Sequence, residues 1–270
     1  MSRLVFSGLT DTGRLRKENQ DKWLADEQLG LFLVADGMGG AFAGELASRI
    51  VVETLPLALR KKLRRHSRAR CHLAPQSLSS PKVQECLRDV LAGISNALRA
   101  QSQDQPGLHG MGATVVLALI RGTQALLAHL GDSRCYLLRG GKLECLTKDH
   151  TLVQLLLDTG EIKPDEAATH PARHKLTRFV GMPDEAQPDV RPVELAPGDT
   201  LLLCSDGLHG MLGDTELLAI LTASRNPEES CRRLVAAANA AGGKDNIAVL
   251  VVGTSAGDKA LPKATSGSAT

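Results

Sequence analysis

Residues 31–40 have the sequence Leu-Phe-Leu-Val-Ala-Asp-Gly-Met-Gly-Gly, in which an apolar run ends in an acid and three glycines. The apolar part, Leu31–Ala35, is too short for a helix and is flanked by glycine and aspartate, so we interpret it as a strand. The strand delivers Asp36 to its carboxyl end, and Asp36 is the first of several acids placed in this way.

Further short apolar runs, each next to Gly, Asp or Asn, predict more strands. These runs are Ala113–Ile120, Ala125–Leu130, Leu201–Cys204 and Ile247–Val252. The four residues 121–124 between the first two runs predict a hairpin, and Tyr136–Leu138 with Leu143–Leu146 predicts another.

Helical periodicity appears between these groups of strands. Apolar residues recur at steps of three and four from Val83 to Leu98 and from Cys231 to Ala238. Residues 44–62 are also interpreted as helical, and we expect Pro56 to kink this helix or to end its first part. Strands in runs with helices between them favour antiparallel sheets with helices packed outside over a repeating βαβ unit.

Four aspartates lie at predicted strand ends. Asp36, Asp132 and Asp206 follow strands, and Asp245 precedes one. In antiparallel sheets those ends can share one edge, where gathered carboxylates would repel each other unless cations were bound. An all-oxygen ligand set suits Mg²⁺ or Mn²⁺.

Each acid also has a simpler interpretation. Asp36-Gly37 and Asp206-Gly207 match a common turn dipeptide, and Asp245-Asn246 fits a loop before a strand. The residues alone leave both interpretations open.

The segments that flank the acids, taken in order, carry more information. They are residues 16–21 (RKENQD), 34–40 (VADGMGG), Gly44-Glu45 with Ala47-Ser48, 111–114 (MGAT), 129–134 (HLGDSR), 146–150 (LTKDH), 176–178 (LTR), 203–208 (LCSDGL) and 243–246 (GKDN). In this order they resemble the bacterial branch of the PPM (type 2C) family of metal-dependent serine/threonine protein phosphatases. The resemblance covers residues 5–252.

The resemblance implies an α+β fold, a four-layer α-β-β-α sandwich of two antiparallel sheets flanked by helix pairs. We expect one phosphatase domain over residues 1–253, with a basic insertion at 60–82 and a flap region beside the active site at 151–178. The composition of residues 254–270, rich in Ala, Gly, Ser, Thr and Lys, predicts a disordered tail.

The resemblance also implies a site with two Mn²⁺ or Mg²⁺ ions and a third, weaker one. Asp36 would bridge the two ions, the Gly37 carbonyl would bind one of them, and Asp206 and Asp245 would bind the other. Asp132 would hold the third ion together with Asp206, and Asp21 would support the cluster through water.

Arg16 matches the arginine that holds the substrate phosphate in the family. The alternative is a surface residue in the basic turn 14–17. Some members carry a histidine near the second motif that protonates the leaving oxygen, but here Met38 and Ala41 stand there. The general acid is therefore unassigned, with a metal-held water as one candidate. The two histidines of the flap region, His170 and His174, are separate candidates for a catalytic role that the sequence does not specify.

The implied reaction is hydrolysis of phosphoserine and phosphothreonine by a metal-bridging hydroxide, opposing a bacterial Ser/Thr kinase. The implied partners are phosphorylated proteins. The alternatives are a phosphatase of small phosphorylated molecules and a phospho-binding module that has lost catalysis. The last alternative predicts broken ligands, yet all four strand-end aspartates are present.

Composition excludes several other classes. The chain has 270 residues, a net charge of +2 and few aromatic residues (four Phe, one Trp, one Tyr), which argues against nucleic-acid binding. No apolar run approaches the roughly 18 residues of a membrane span, and the N-terminus has no signal-peptide pattern. The six cysteines are scattered without a C-x-x-C pair, so we expect reduced thiols and a cytoplasmic protein.

One local feature departs from this even charge balance. Residues 60–70 hold seven Lys/Arg and no acid. The stretch is interpreted either as a solvated surface insertion or as a docking patch for an acidic or phosphorylated partner.

Overall fold

The computed structural model describes residues 4–68, 77–167 and 169–254, with side chains omitted at Ala41 and residues 65–68. Positions 69–76 of the basic insertion and residues 255–270 of the predicted tail therefore lie outside the described residues, while Thr254, the first residue of that tail, is the last residue of a strand.

Ten strands in the described ranges form two five-stranded sheets in which every pairing is antiparallel. The first sheet has the order β1-β10-β9-β6-β7 and the second has the order β2-β3-β4-β5-β8. The strands are β1 (Leu4–Asp11), β2 (Asp21–Asp26), β3 (Leu31–Met38), β4 (Gly112–Arg121), β5 (Gln124–Leu130), β6 (Arg134–Arg139), β7 (Lys142–Cys145), β8 (Asp189–Glu194), β9 (Thr200–Cys204) and β10 (Ile247–Thr254).

Helices cover the outer face of each sheet. The α-helices are α1 (Ala41–Arg68), α2 (Pro81–Asp104), α3 (Leu152–Thr159), α4 (Pro164–Ala167), α5 (Asp206–His209), α6 (Asp214–Ala223) and α7 (Pro227–Ala240). The α1–α2 pair packs on the second sheet, and α6 and α7 pack on the first. This confirms the α-β-β-α sandwich.

The burial of both sheet faces explains why the strands are continuous apolar runs. Along β3, Leu31, Leu33 and Ala35 face the α1–α2 layer, while Phe32 and Val34 face the other sheet. Successive side chains of a strand point to opposite faces, so a sheet covered on both sides selects apolar residues at every position. The same two-sided burial holds for β4, β9 and β10.

The strands that the sequence patterns did not predict are β1, β2 and β8. All three lie at sheet edges. Their residues are mostly half-buried or exposed, and β8 contains Pro192, a residue typical of edge strands, so the pattern that marks a central strand is absent.

Pro56 was expected to kink the first helix or to end its first part. It does not end the helix, because α1 continues from Ala41 to Arg68. Proline costs a helix interior about 3 kcal/mol through its missing N–H and its ring clash. Here Val51, Leu55 and Leu59 are fully buried against the second sheet on either side of it. Tertiary burial of that face offsets the local cost.

The basic stretch begins as the last turns of α1, and part of its charge is already paired. Arg60 forms an ion pair with Asp26 and Lys62 with Asp89. The docking interpretation stays a prediction, because Lys61 and Arg64 of the stretch are exposed while the side chains of Arg65, Arg68 and Arg70 lie outside the described residues. Among the described helices, none has the length and apolarity needed to cross a membrane.

Candidate active site

The site begins at the pairing of β2 with β3, which sets two acids opposite each other. Asp21 and Asp36 are direct partners in the register of this strand pair. Like charges in that position are destabilising. Asp21 is fully buried, and its Oδ2 accepts a hydrogen bond of 2.6 Å from Ser205 Oγ. Its Oδ1 is buried and finds no hydrogen-bond partner among the residues that the structure describes.

A cavity of about 680 Å³ opens above this pair. The structure brings to it every other residue that the sequence nominated for the site: Arg16, Asp36, Gly37, Asp132, Asp206 and Asp245. Asp36 lies inside β3, because the strand runs three residues further than the apolar run, to Met38. Asp132 follows β5 by one glycine, Asp206 is the first residue of α5 after β9, and Asp245 lies just before β10.

The turn interpretation of the two Asp-Gly pairs is excluded by their backbone. Asp36-Gly37 lies within a strand and Asp206-Gly207 opens a helix. A Cβ on Gly37 would lie 1.9 Å from the Gly44 carbonyl oxygen, and one on Gly207 would lie 1.9 Å from the Asn246 carbonyl oxygen. Each glycine is needed because another backbone segment packs directly against it.

Burial and mutual repulsion dominate the electrostatics of the cluster. Burial raises the pKa of Asp21 to about 7 and the pKa of Asp132 to about 8, with the charge of Asp206 adding to both shifts. Burial also raises the pKa of Asp36 well above its usual range, and the charges of Asp21 and Asp206 raise it further. Without a cation these carboxyls therefore retain protons near neutral pH.

Arg16 supplies part of the missing positive charge. Its guanidinium donates a hydrogen bond of 2.7 Å to Asp245 Oδ2. Both side chains are well exposed, at 57% and 36% of their surfaces. An ion pair in contact with water is worth little and can exchange readily for another partner.

Asn246 holds the loop that carries Arg16. Its Nδ2 donates to the carbonyl oxygens of Thr12 and Glu18, and its Oδ1 accepts from the amide of Gln20, all within 2.9 Å. These three bonds close the loop over the start of β10. Sequence reasoning placed Asn246 in a motif but gave it no function; its position beside a strand-end acid was the available signal.

A second group of side chains, His129, His150 and Asp189, has the spacing of a metal site. The nitrogen and oxygen atoms that could bind a metal already form hydrogen bonds within the protein. His150 Nδ1 accepts from the Gly131 amide at 3.2 Å, and His150 Nε2 donates to Asp189 at 3.2 Å. Arg178 donates to the same carboxylate at 2.8 Å. We therefore interpret this group as a hydrogen-bonded link between the end of the flap and the loop of Asp132.

The two buried histidines are neutral in this arrangement. His129 stacks on His150 with ring centroids 4.4 Å apart and hydrogen-bonds the Lys148 carbonyl through Nε2. Burial lowers the pKa of His129 and lowers the pKa of His150 to about 4. These contacts give His129 and His150 a structural role.

The family model described as protein phosphatase 2C matches residues 14–246 of this chain. The chain belongs to the protein phosphatase 2C family. The match spans the whole cavity, from the loop of Arg16 to Asn246, and it confirms the resemblance stated from the motifs.

Named relatives in the protein phosphatase 2C family are similar over nearly their full length. The serine/threonine phosphatase Stp of Listeria monocytogenes is 36% identical over 246 residues, which are 90% of this chain and 93% of that one. The structure of the S. agalactiae serine/threonine phosphatase is 31% identical, with a TM-score of 0.82, and the match covers 93% of this chain and all of that one.

A third relative in the protein phosphatase 2C family bears on the metal question. The catalytic domain of the serine/threonine protein phosphatase PstP in complex with two manganese ions is 34% identical to this chain, with a TM-score of 0.74. The match covers 93% of this chain and 98% of that one.

We predict that Asn246→Ala loosens the loop of Arg16. Losing three hydrogen bonds should lower the free energy of unfolding by about 2–3 kcal/mol, and displacement of Arg16 should lower kcat/KM on the order of 10-fold or more. The matched control is Asn226→Ala, which removes the side-chain cap on the Glu228 amide at the start of α7. It should cost about 1 kcal/mol of stability and leave turnover unchanged. Equal turnover in the two variants would contradict the role given to Asn246.

We predict that Asp132→Asn stabilises the metal-free protein, and more strongly at high pH. The folded pKa of Asp132, about 8, lies above the unfolded value, so the wild type holds an extra proton when folded. Its stability should therefore fall by roughly 1 kcal/mol per pH unit as the pH rises towards 8, while Asn has no such dependence.

Urea unfolding in chelator at pH 5 to 8 measures this difference. The advantage of Asp132→Asn over the wild type should shrink as the pH falls. Asp214→Asn, at an exposed acid of α6, should follow the wild type. Parallel stability curves for Asp132→Asn and the wild type would refute the electrostatic account.

Proposed function

We propose that this chain is a metal-dependent serine/threonine protein phosphatase that hydrolyses phosphoserine and phosphothreonine esters with Mn²⁺ or Mg²⁺. The observation that carries the proposal is one cavity in which Asp36, Asp132, Asp206 and Asp245 converge beside Arg16. The protein phosphatase 2C fold and the named phosphatase relatives support it.

The donor set fits divalent cations. The cavity offers carboxylate and carbonyl oxygens, which hard cations prefer. The unpartnered buried oxygen of Asp21 and the raised pKa values around it show a cluster short of positive charge. Two bound Mn²⁺ ions in the related PstP domain point the same way.

We assign the ligands as the motifs suggest. Asp36 would be shared by two ions, the Gly37 carbonyl would bind one of them, and Asp206 and Asp245 would bind the other. Asp132 would hold a third ion with Asp206, and Asp21 would support the cluster through water. When bound, the ions supply a water of lowered pKa and positive charge for the phosphoryl oxygens.

Arg16 binds the phosphate of the substrate. Its planar guanidinium donates two parallel hydrogen bonds, which match two phosphoryl oxygens. The exposed pair with Asp245 is weak, so Arg16 can leave that carboxylate for the substrate while Asp245 turns to a cation.

The partners follow from the activity. We assign phosphorylated proteins as substrates, and a bacterial Ser/Thr kinase as the opposing enzyme. We place the reaction in the cytoplasm, a location that free thiols support: the five cysteines in the described part of the chain form no disulfide.

The experiment that tests the function measures phosphate release from a phosphothreonine peptide while Mn²⁺ is titrated into metal-stripped protein. Release should rise with Mn²⁺ and stop with chelator. Asp206→Asn should lower kcat on the order of 100-fold or more with the fold intact by circular dichroism, while Asp214→Asn remains active. Release from small phosphate esters alone would favour a small-molecule phosphatase. No release from folded protein would favour a binding module.

Arg16→Ala should mainly raise KM for the phosphopeptide, by roughly 10-fold, because a charge-assisted contact to phosphate is lost. Arg14→Ala is the matched control, since Arg14 lies in the same exposed loop outside the cavity. Its KM should equal that of the wild type. An unchanged KM in Arg16→Ala would remove phosphate binding from this residue.

A further inference from the structure

The flap region, residues 151–178, places one of its histidines in the active-site cavity. His174 lines the same cavity as Arg16 and the aspartates. Burial and the charge of Asp245 raise the pKa of Asp206, and the imidazole of His174 lies close enough to that carboxylate to interact with it electrostatically.

Hydrogen bonds fix the backbone next to His174. The Leu152 amide donates to the Lys175 carbonyl oxygen at 2.8 Å, and the Thr177 amide donates to the His150 carbonyl oxygen at 2.8 Å. His174 directly precedes this pinned segment, so its backbone is held at the cavity rather than at the outer edge of the flap.

The other histidine of the flap is arranged differently. His170 Nδ1 accepts a hydrogen bond of 3.1 Å from the Ala172 amide, which turns the ring into its own loop. His170 is not among the residues that line the cavity. The two histidines, which the sequence could not separate, are therefore distinguished by position.

Among the residues lining the cavity, His174 has the side chain best suited to donate a proton. By side-chain type, the guanidinium of Arg16 and the ammonium of Lys17 are weaker acids than an imidazolium. Four of the aspartates are needed as ligands, and Glu18 is an exposed carboxylate. Imidazole exchanges protons near pH 7.

The reaction needs such a donor. A seryl or threonyl oxygen leaves as a strongly basic alkoxide unless it is protonated while its bond to phosphorus breaks. A nitrophenol leaving group is far less basic and needs no proton. A proton donor therefore affects the two kinds of ester unequally.

We propose that His174 is the general acid of the reaction and protonates the leaving oxygen of the phosphorylated side chain. This inference rests on the proposed function. Hydroxide adds to phosphorus, the bond from phosphorus to the side-chain oxygen breaks, and its electron pair stays on that oxygen. The imidazolium proton moves to the oxygen, which gives a free hydroxyl side chain, hydrogen phosphate and neutral imidazole. The imidazole then regains its proton from water, which supplies the next hydroxide.

The test compares esters whose leaving groups differ in basicity, at saturating Mn²⁺. The substrates are 4-nitrophenyl phosphate, phenyl phosphate and a phosphothreonine peptide. His174→Gln keeps a hydrogen-bond donor but cannot deliver a proton. Its kcat should stay within about twofold of wild type for the nitrophenyl ester and fall about 100-fold for the peptide, with phenyl phosphate in between.

His170→Gln is the matched control from the same flap, and its losses should not vary with the leaving group. An equal loss on all three esters in His174→Gln would overturn the proposal, as would a loss confined to KM for the peptide, which would mean docking. Unchanged kcat on every ester would also overturn it. A wild type inactive on all three substrates would instead refute the proposed function and this inference with it.

Discussion

Repulsion among carboxylates at one edge of the sandwich is the constraint on which the rest of this structure depends. Asp21 and Asp36 face each other across a strand pair, and Asp132, Asp206 and Asp245 converge on the same cavity. In water these groups would ionise and separate. Here burial raises the pKa of several of them, and one buried oxygen finds no hydrogen-bond partner in the described ranges. The free energy that holds them together must come from elsewhere in the fold.

That free energy comes from the three apolar layers around the two sheets. The central strands are buried on both faces, so their backbones cannot shift to relieve the repulsion at their ends. Backbone contacts at Gly37 and Gly207 leave no room for even a methyl group, which fixes two of the acids by their immediate neighbours. A rigid frame with surplus negative charge is preorganised for divalent cations, because the carboxylates are already gathered before an ion arrives.

The sequence predicted the parts of this arrangement that depend on local patterns. Apolar runs buried on both faces are visible as runs, and an acid directly after such a run is placed by the strand itself. Edge strands such as β2 could not be predicted in this way, because their residues are mostly only half-buried and do not form a continuous apolar run. Asn246 and Asp189 act through partners far away in the chain, Thr12 and His150 among them, so no short motif reveals their contacts.

At Pro56, a local sequence pattern was misleading. A proline inside a helix is expected to kink or end it, yet α1 continues past Pro56 because both neighbouring turns are buried against the sheet. Local propensity is a difference of a few kcal/mol, and the burial of several leucines and valines exceeds it. Whether the propensity cost of proline or the burial of the helix face is larger can be decided only from the tertiary packing.

Both ends of the flap region are anchored beside the cavity, while the segment between them is more exposed. One end follows His150, which bonds both the Gly131 amide and Asp189, and the other closes with Arg178 on the same Asp189. A single carboxylate thus ties both ends of the flap to the loop of Asp132. The segment between them, including α4, is largely exposed and carries few bonds to the sheets. Its sequence can therefore vary to suit different phosphoproteins while the anchored ends keep the cavity, and His174 beside them, in a constant geometry.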